Sequence, residues 1–408
     1  MPIQTAAPAR LPLEQIAGVV EEELAATPFV DVHTHLFMPS LGKLGLWGID
    51  ELITYHYLEA ELFRSSKISP DDYFRLTKQQ QADAIWRALF VDNSPVSEAA
   101  RGVVAVLESF GLDTGAADLR EARAFFAEQN LEAHLRRTLE LAGVSEVAMT
   151  NDPLDPEEAP LWEKGAEADG RFLPVLRLDR ILNDGALAGR SVSDVRRFLD
   201  AWCMRMQPVY MAVSLPDSFV YPEDSPRGRL LTDAVLPACR DFDIPLSLMI
   251  GVRRQVNPAL RLAGDAVGRA DLRALERLCV EFPGNRFLVS VLSRENQHEL
   301  CVYARKFRNL MPFGCWWFLN NPSIVEEITR ERIEMLGMSF IPQHSDARVL
   351  EQLIYKWRNT RRTLGPVLTN TYRLLAADGG EVTRAHIRRD IARLFRGNFE
   401  GFCGRKGC

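Results

Sequence analysis

At 408 residues, 47% hydrophobic and 25% charged with a net charge of −6, the chain has a globular composition and suits one large α/β barrel or two medium domains. No basic patch is dense enough to suggest nucleic-acid binding, and the densest basic run, "KWRNTRR" (356–362), reads as a solvated helix face. No apolar segment approaches the ~18–20 uncharged residues of a membrane span, and Glu14 and Glu21–Glu23 interrupt any signal-peptide pattern, so the cytoplasm is the expected compartment.

The first strand-like run is "FVDVHTHL" (29–36). A long helical stretch, about 46–142, follows it. "SPDDYFRLTKQQQADAIWRALF" opens with Ser69 as N-cap, Pro70 at the first helical position and acidic residues in the first turn, and further helices are predicted near 97–110 and 117–142. Seven more apolar, β-rich runs come next: 145–152, 171–179, 209–217, 245–251, 286–293, 312–318 and 338–346. Helical periods separate them, clearest in 191–206, 269–282 and 321–337. Strands alternating with amphipathic helices imply a parallel sheet, and eight such units imply a (β/α)₈ TIM barrel. The expectation is a single barrel domain over 1–408 whose 46–142 insertion after strand one forms a lid or wall over the catalytic face. Cys203, Cys279, Cys301 and Cys315 fall in helix- or strand-like patterns and read as buried thiols, whereas Cys403 and Cys408 lie in the Gly-rich "GFCGRKGC", read as a mobile tail.

Chemistry concentrates where the runs turn polar at their C-terminal ends. His33 and His35 are two apart, so on a strand they share a face. Asp346 closes the last run, and in a barrel the first and last strands are neighbours. His33, His35 and Asp346 can thus converge on one divalent metal with open coordination positions, Zn²⁺ first, with Mn²⁺, Fe²⁺ and Co²⁺ as alternatives. The bland readings are a core histidine pair and an Asp346 N-cap on a helix starting near Ala347.

A first-strand His-x-His with a last-strand Asp resembles the amidohydrolase superfamily. The further ligands of its binuclear members have no counterpart in "VYMAVSLPD", "SLMIG" or "FLVSVLS", which argues for a mononuclear site. "ELITYHYLEAE" (51–61), "LRLD" (176–179), "GCWWF" (314–318) and "SDAR" (345–348) together resemble the uronate isomerase (glucuronate isomerase) family, its shorter bacterial branch above all, over nearly the whole chain. "SDAR" departs from the main-branch "TDSR" at its first and third positions but keeps Asp346 and Arg348.

That resemblance implies an aldose–ketose isomerase taking D-glucuronate to D-fructuronate and D-galacturonate to D-tagaturonate, a small-molecule uronic acid substrate, and a homo-oligomer. Such a reaction moves a proton between C1 and C2 through a cis-enediol. His56 and Tyr57 are suitable types for that proton, with the imidazole holding the Tyr oxygen near ionisation. Arg177 and Arg348 suit a carboxylate or an enediolate, and one of Trp316 and Trp317 would line the site while the other packs against helices. Asp346 is given a catalytic as well as a metal-binding part. Arg177 has a rival reading as a rim salt bridge with Asp179 or Asp217. His298 reads as a rim helix residue, and His134, His386 and His344 as structural. The competing functions are a mononuclear hydrolase or lactonase acting on a sugar acid, and a non-catalytic sugar-acid sensor.

Overall fold

The computed structural model describes residues 10–187 and 189–405; Cys408 lies outside them. Its strands are β1 (Phe29–Thr34), β2 (Val144–Asn151), β3 (Phe172–Arg177), β4 (Met211–Pro216), β5 (Leu246–Arg253), β6 (Ala266–Val267), β7 (Phe287–Val291) and β8 (Leu310–Pro312). The sheet runs β1-β2-β3-β4-β5-β7-β8, parallel at every step, with β6 antiparallel on β5. β1 and β7 are buried at every residue, as parallel strands covered on both faces must be. The architecture is a curled parallel α/β sheet of TIM-barrel-like form.

The eighth expected run, 338–346, is not a ladder strand. A single parallel bridge joins Phe313 to Ile341. Ile341 N donates to Pro312 O (3.0 Å) and Gly314 N to Ile341 O (2.9 Å) on one side. On the other, Asp346 N donates to His33 O (3.1 Å) and His35 N to Ala347 O (2.7 Å). The segment therefore touches both β8 and β1, but Pro342 has no N–H to give and Asp346 is left-handed (φ 53), so no continuous ladder forms. Side chains hold the seam instead: Asp31 accepts Ser345 N (3.0 Å) and Trp357 Nε1 (2.9 Å). The run 312–318 is likewise cut short, because Gly314 (φ 66) and Trp317 (φ 46) turn the chain out of the sheet.

Seven α-helices stand between β1 and β2: Ile49–Ile53, His56–Ser65, Pro70–Tyr73, Lys78–Trp86, Glu98–Ser109, Arg120–Ala127 and Leu131–Ala142. Ser69 caps as expected, but its helix stops after one turn and Thr77 starts the next with a capping box. Asn130 splits the stretch 117–142 in the same way. These helices bury their own apolar cluster, including Ile53, Leu62, Tyr73, Ile85 and Val106, and close it on Val349, Ile354 and Tyr355. No described helix is long and apolar enough to cross a membrane.

Two expectations fail for packing reasons. "KWRNTRR" is not a solvated face. It belongs to the helix Gln352–Ala377, where Lys356 is buried against Glu98 (3.2 Å), Trp357 against Asp31, and Arg361 donates to Ala142 O (2.7 Å) and Gly143 O (3.2 Å). The described part of the tail is fixed as well. Phe399 and Cys403, four apart on one helical face, are buried with Val30, Leu173, Tyr210 and Leu288 and plug the N-terminal end of the sheet's interior.

Gly143 ends the helix Leu131–Ala142 at φ 64, and a Cβ there would fall on the Arg361 guanidinium. Gly143→Ala is expected to cost about 1–3 kcal/mol. Urea unfolding measures this, and an unchanged midpoint would show that Arg361 moves aside freely.

Candidate active site

β1 delivers His33 from a fully buried strand and His35 from the residue just past its end, and the seam delivers Asp346. His35 Nε2 lies 3.2 Å and His33 Nε2 3.6 Å from Asp346 Oδ1, and one ligand atom from each of the three lies within 4.8 Å of the others. Asp346 Oδ1 is buried without a hydrogen-bond partner. An orphaned carboxylate oxygen facing two imidazole nitrogens fits a cation. Burial holds both histidines far below their ordinary pKa, His33 at about 3, with the Asp346 carboxylate opposing for His33. They are therefore neutral, the form that binds metal. No helix begins at Ala347, so Asp346 is not an N-cap.

A cleft of about 730 Å³ opens at the C-terminal ends of β2 to β5, lined among others by Asp152, Arg177, Asp179, Ser214, Arg254 and Arg348. Arg177 is paired with Asp179 through Nε (3.0 Å) and Nη2 (3.2 Å), so the rim salt bridge exists, while Nη1 takes no partner among the described residues. Burial works against the Arg177 charge and Asp179 more than offsets it. Arg348 makes no ion pair among the described residues; its backbone N–H is held by Gln352 Oε1 (2.8 Å). Arg348 and Leu262 also line a smaller cavity of about 320 Å³ that holds Tyr55 and His56.

His56 opens the helix His56–Ser65, with Nε2 buried and unpartnered. Burial first, then the positive Arg348, lower it to about 3. Its ring signals are therefore expected to stay flat between pH 5 and 8 in an NMR titration, and a titration step there would contradict its burial. Tyr57 packs edge-on to His56 (centroids 4.6 Å, 80°) with Lys356 over its ring (5.6 Å). No hydrogen bond joins the two, and burial lifts the Tyr57 hydroxyl well above its ordinary range. The expected near-ionised tyrosine is thus corrected: Tyr57 is held protonated.

Of Trp316 and Trp317, the second is the one beside His56. It meets His56 edge-on (5.8 Å), lies under Arg254 (6.0 Å) and leaves Nε1 unpartnered. Trp316 packs on Met249, Val252 and Leu292, at strand ends rather than against helices. His298 is exposed on Gln297–Ala304, beside Glu331. His134 is buried against Glu351 (2.7 Å), and His386 sits behind the Thr383 cap. His344 is fully buried, its ring 5.1 Å from that of His33, in a space that Gly314 leaves open.

Sequence reasoning missed the partners in three elements of this surround. Tyr210 and Thr150 meet the outer nitrogens of His33 (3.3 Å) and His35 (2.9 Å). The excursion between β5 and β6 is tied by Arg254–Asp265 (2.6 Å) and lays Arg261 over Phe74 (4.0 Å). Asp152 pairs with Arg180 (3.3 Å) in the cleft. Only strand parity could have pointed to Thr150; Tyr210 reaches β1 across the interior of the curled sheet.

A solved uronate isomerase from Bacillus halodurans C-125 superposes with a TM-score of 0.95 at 48% identity, covering 98% of each chain. The chain belongs to the uronate isomerase family. Two further solved structures share the fold at low identity. The uronate isomerase of Thermotoga maritima has a TM-score of 0.72 at 16% identity, over 97% of this chain and 98% of that one. The glucuronate isomerase of Caulobacter crescentus has a TM-score of 0.67 at 14%, over 99% and 97%. No family model and no curated protein matches the chain. Membership in the uronate isomerase family bears out the resemblance carried by "YHY", "LRLD", "CWWF" and "SDAR".

Proposed function

We propose that this member of the uronate isomerase family interconverts D-glucuronate with D-fructuronate, and D-galacturonate with D-tagaturonate. The observation that supports this best is Arg348, unpaired among the described residues and two residues from Asp346, which lines both the open cleft and the smaller cavity that holds the unpartnered His56. In this reading the barrel is closed, forms one domain over the whole chain, carries 46–142 as an insertion that walls the mouth, and assembles into homo-oligomers.

His33, His35 and Asp346 would hold one divalent ion, Zn²⁺ first. When bound, it would polarise substrate oxygens and anchor the carboxylate end of the sugar acid. His56 Nε2 takes the C2 proton of the open-chain aldose and returns it to C1, while the hydroxyl proton passes from O2 to O1. Tyr57, protonated, serves as donor beside it. Arg348 meets the negative charge that develops on the enediolate, and the free Nη1 of Arg177 binds a substrate oxygen. Trp317 offers a sugar-stacking face. Asp346 also exchanges a proton with a substrate hydroxyl during ring opening.

The test is incubation with D-glucuronate in D₂O. Ketose formation with proton exchange at C1 or C2 is expected. Release of acid from sugar-acid lactones without isomerisation would instead mean a hydrolase.

A further inference from the structure

His33 in β1 and His35 just past its end each have one nitrogen toward Asp346 and one toward a hydroxyl, and those hydroxyls follow one design. Tyr210 OH lies 3.3 Å from His33 Nδ1 and donates its own proton to Val32 O at 2.7 Å. Thr150 Oγ1 lies 2.9 Å from His35 Nδ1 and donates to Thr34 O at 3.0 Å. In both cases the carbonyl that takes the hydroxyl proton belongs to the residue just before the histidine.

The pattern matters because a hydroxyl is ambiguous where a carbonyl or carboxylate is not. A free hydroxyl could donate to Nδ1 and leave the proton on Nε2, the wrong nitrogen for binding a cation. A hydroxyl whose single proton is already committed to a β1 carbonyl can only accept, so the imidazole must place its proton on Nδ1. His33, Thr150 and Tyr210 are buried and His35 is largely so, which makes an unpaired donor or acceptor costly. Among the described residues Asp346 is the only rival acceptor for an Nε2 proton, and its Oδ1 receives no hydrogen bond from either ring despite its closeness.

We infer that Tyr210 and Thr150 are positioning residues that fix His33 and His35 as Nδ1–H tautomers, presenting both Nε2 lone pairs to a divalent cation. The inference rests on the metal-binding reading of His33, His35 and Asp346 above. The two hydroxyls come from different elements, β2 and the entrance to β4, so each half of the device can be removed alone.

The experiment measures Zn²⁺ affinity of the full chain by competition with a chromophoric chelator. Thr150→Val, which keeps the shape, and Tyr210→Phe are each expected to weaken Zn²⁺ binding about 10–100-fold, and Thr150→Ser to restore it. A histidine-labelled ¹⁵N spectrum of the chelator-treated wild type is expected to show Nδ1–H for both rings, assigned with His33→Gln and His35→Gln. Wild-type Zn²⁺ affinity in Thr150→Val, or an Nε2–H tautomer in the wild type, would overturn the inference. The spectrum needs no variant at Tyr210, so it decides even if Tyr210→Phe does not fold. Unaltered Zn²⁺ binding in His35→Gln would overturn the metal site itself, and this inference with it.

Discussion

Arg348→Met is expected to lower kcat/KM for D-glucuronate by about a thousandfold or more, a loss of roughly 4 kcal/mol in transition-state binding. Neighbouring cations in the cleft are already committed: Arg177 to Asp179, Arg180 to Asp152, Arg227 to Glu223 and Arg254 to Asp265. Arg348 has no carboxylate partner among the described residues, so its charge is available to an anion. It also lines both cavities, which places it between the open cleft and His56. Its loss should fall on kcat more than on KM, because the enediolate carries charge that the sugar lacks. The fold should survive, since the turn at 348 is held through the backbone N–H. Arg348→Lys should recover only part of the activity, a point charge being a poor substitute for a planar fork. Steady-state kinetics with a melting curve on each variant checks this, and a Met variant keeping a tenth of wild-type activity would remove Arg348 from the chemistry.

Asp346→Asn is expected to give the second large effect. Zn²⁺ affinity should fall at least a hundredfold, and activity about a thousandfold, because the site loses its only anionic ligand. Stability of the metal-free protein should not fall and is expected to rise slightly. The carboxylate is buried with an unpaired oxygen beside two neutral rings, and asparagine adopts the left-handed backbone at φ 53 without added strain. Asp346→Ala, which lacks that tolerance, should be less stable than Asp346→Asn. Chelator competition and thermal unfolding on metal-free samples separate the two effects. A clear loss of stability in Asp346→Asn would mean that the carboxylate is structural.

Much of this was legible because alternating strands and helices leave strong periodic signals. The β1 to β5 runs, the Ser69 cap and the convergence of His33, His35 and Asp346 all follow from local pattern plus barrel adjacency. The misreadings share a cause. Lys356, Arg361 and Cys403 sit in polar or Gly-rich local sequence, and only distant partners (Glu98, Ala142 and Tyr210 among them) bury them. The last strand failed for a backbone reason: its apolar pattern is right, but Pro342 and the left-handed Asp346 interrupt the ladder. Tyr57 kept its place beside His56 but not its charge state, because burial outweighs any help from a neighbouring ring.

The Asp31 hydrogen bonds to Ser345 and Trp357 span sequence separations of 314 and 326 residues. Closing loops of that size carries a chain-entropy cost that no short-range contact can offset early in folding. The edge bearing Asp346 is therefore expected to be the last to lock and the first to open. Amide hydrogen exchange should be faster at 341–347 than in β2 to β5. A cation gripping His33, His35 and Asp346 would then act as a clasp between the two ends of the chain, and slowed exchange along that one edge would report its arrival.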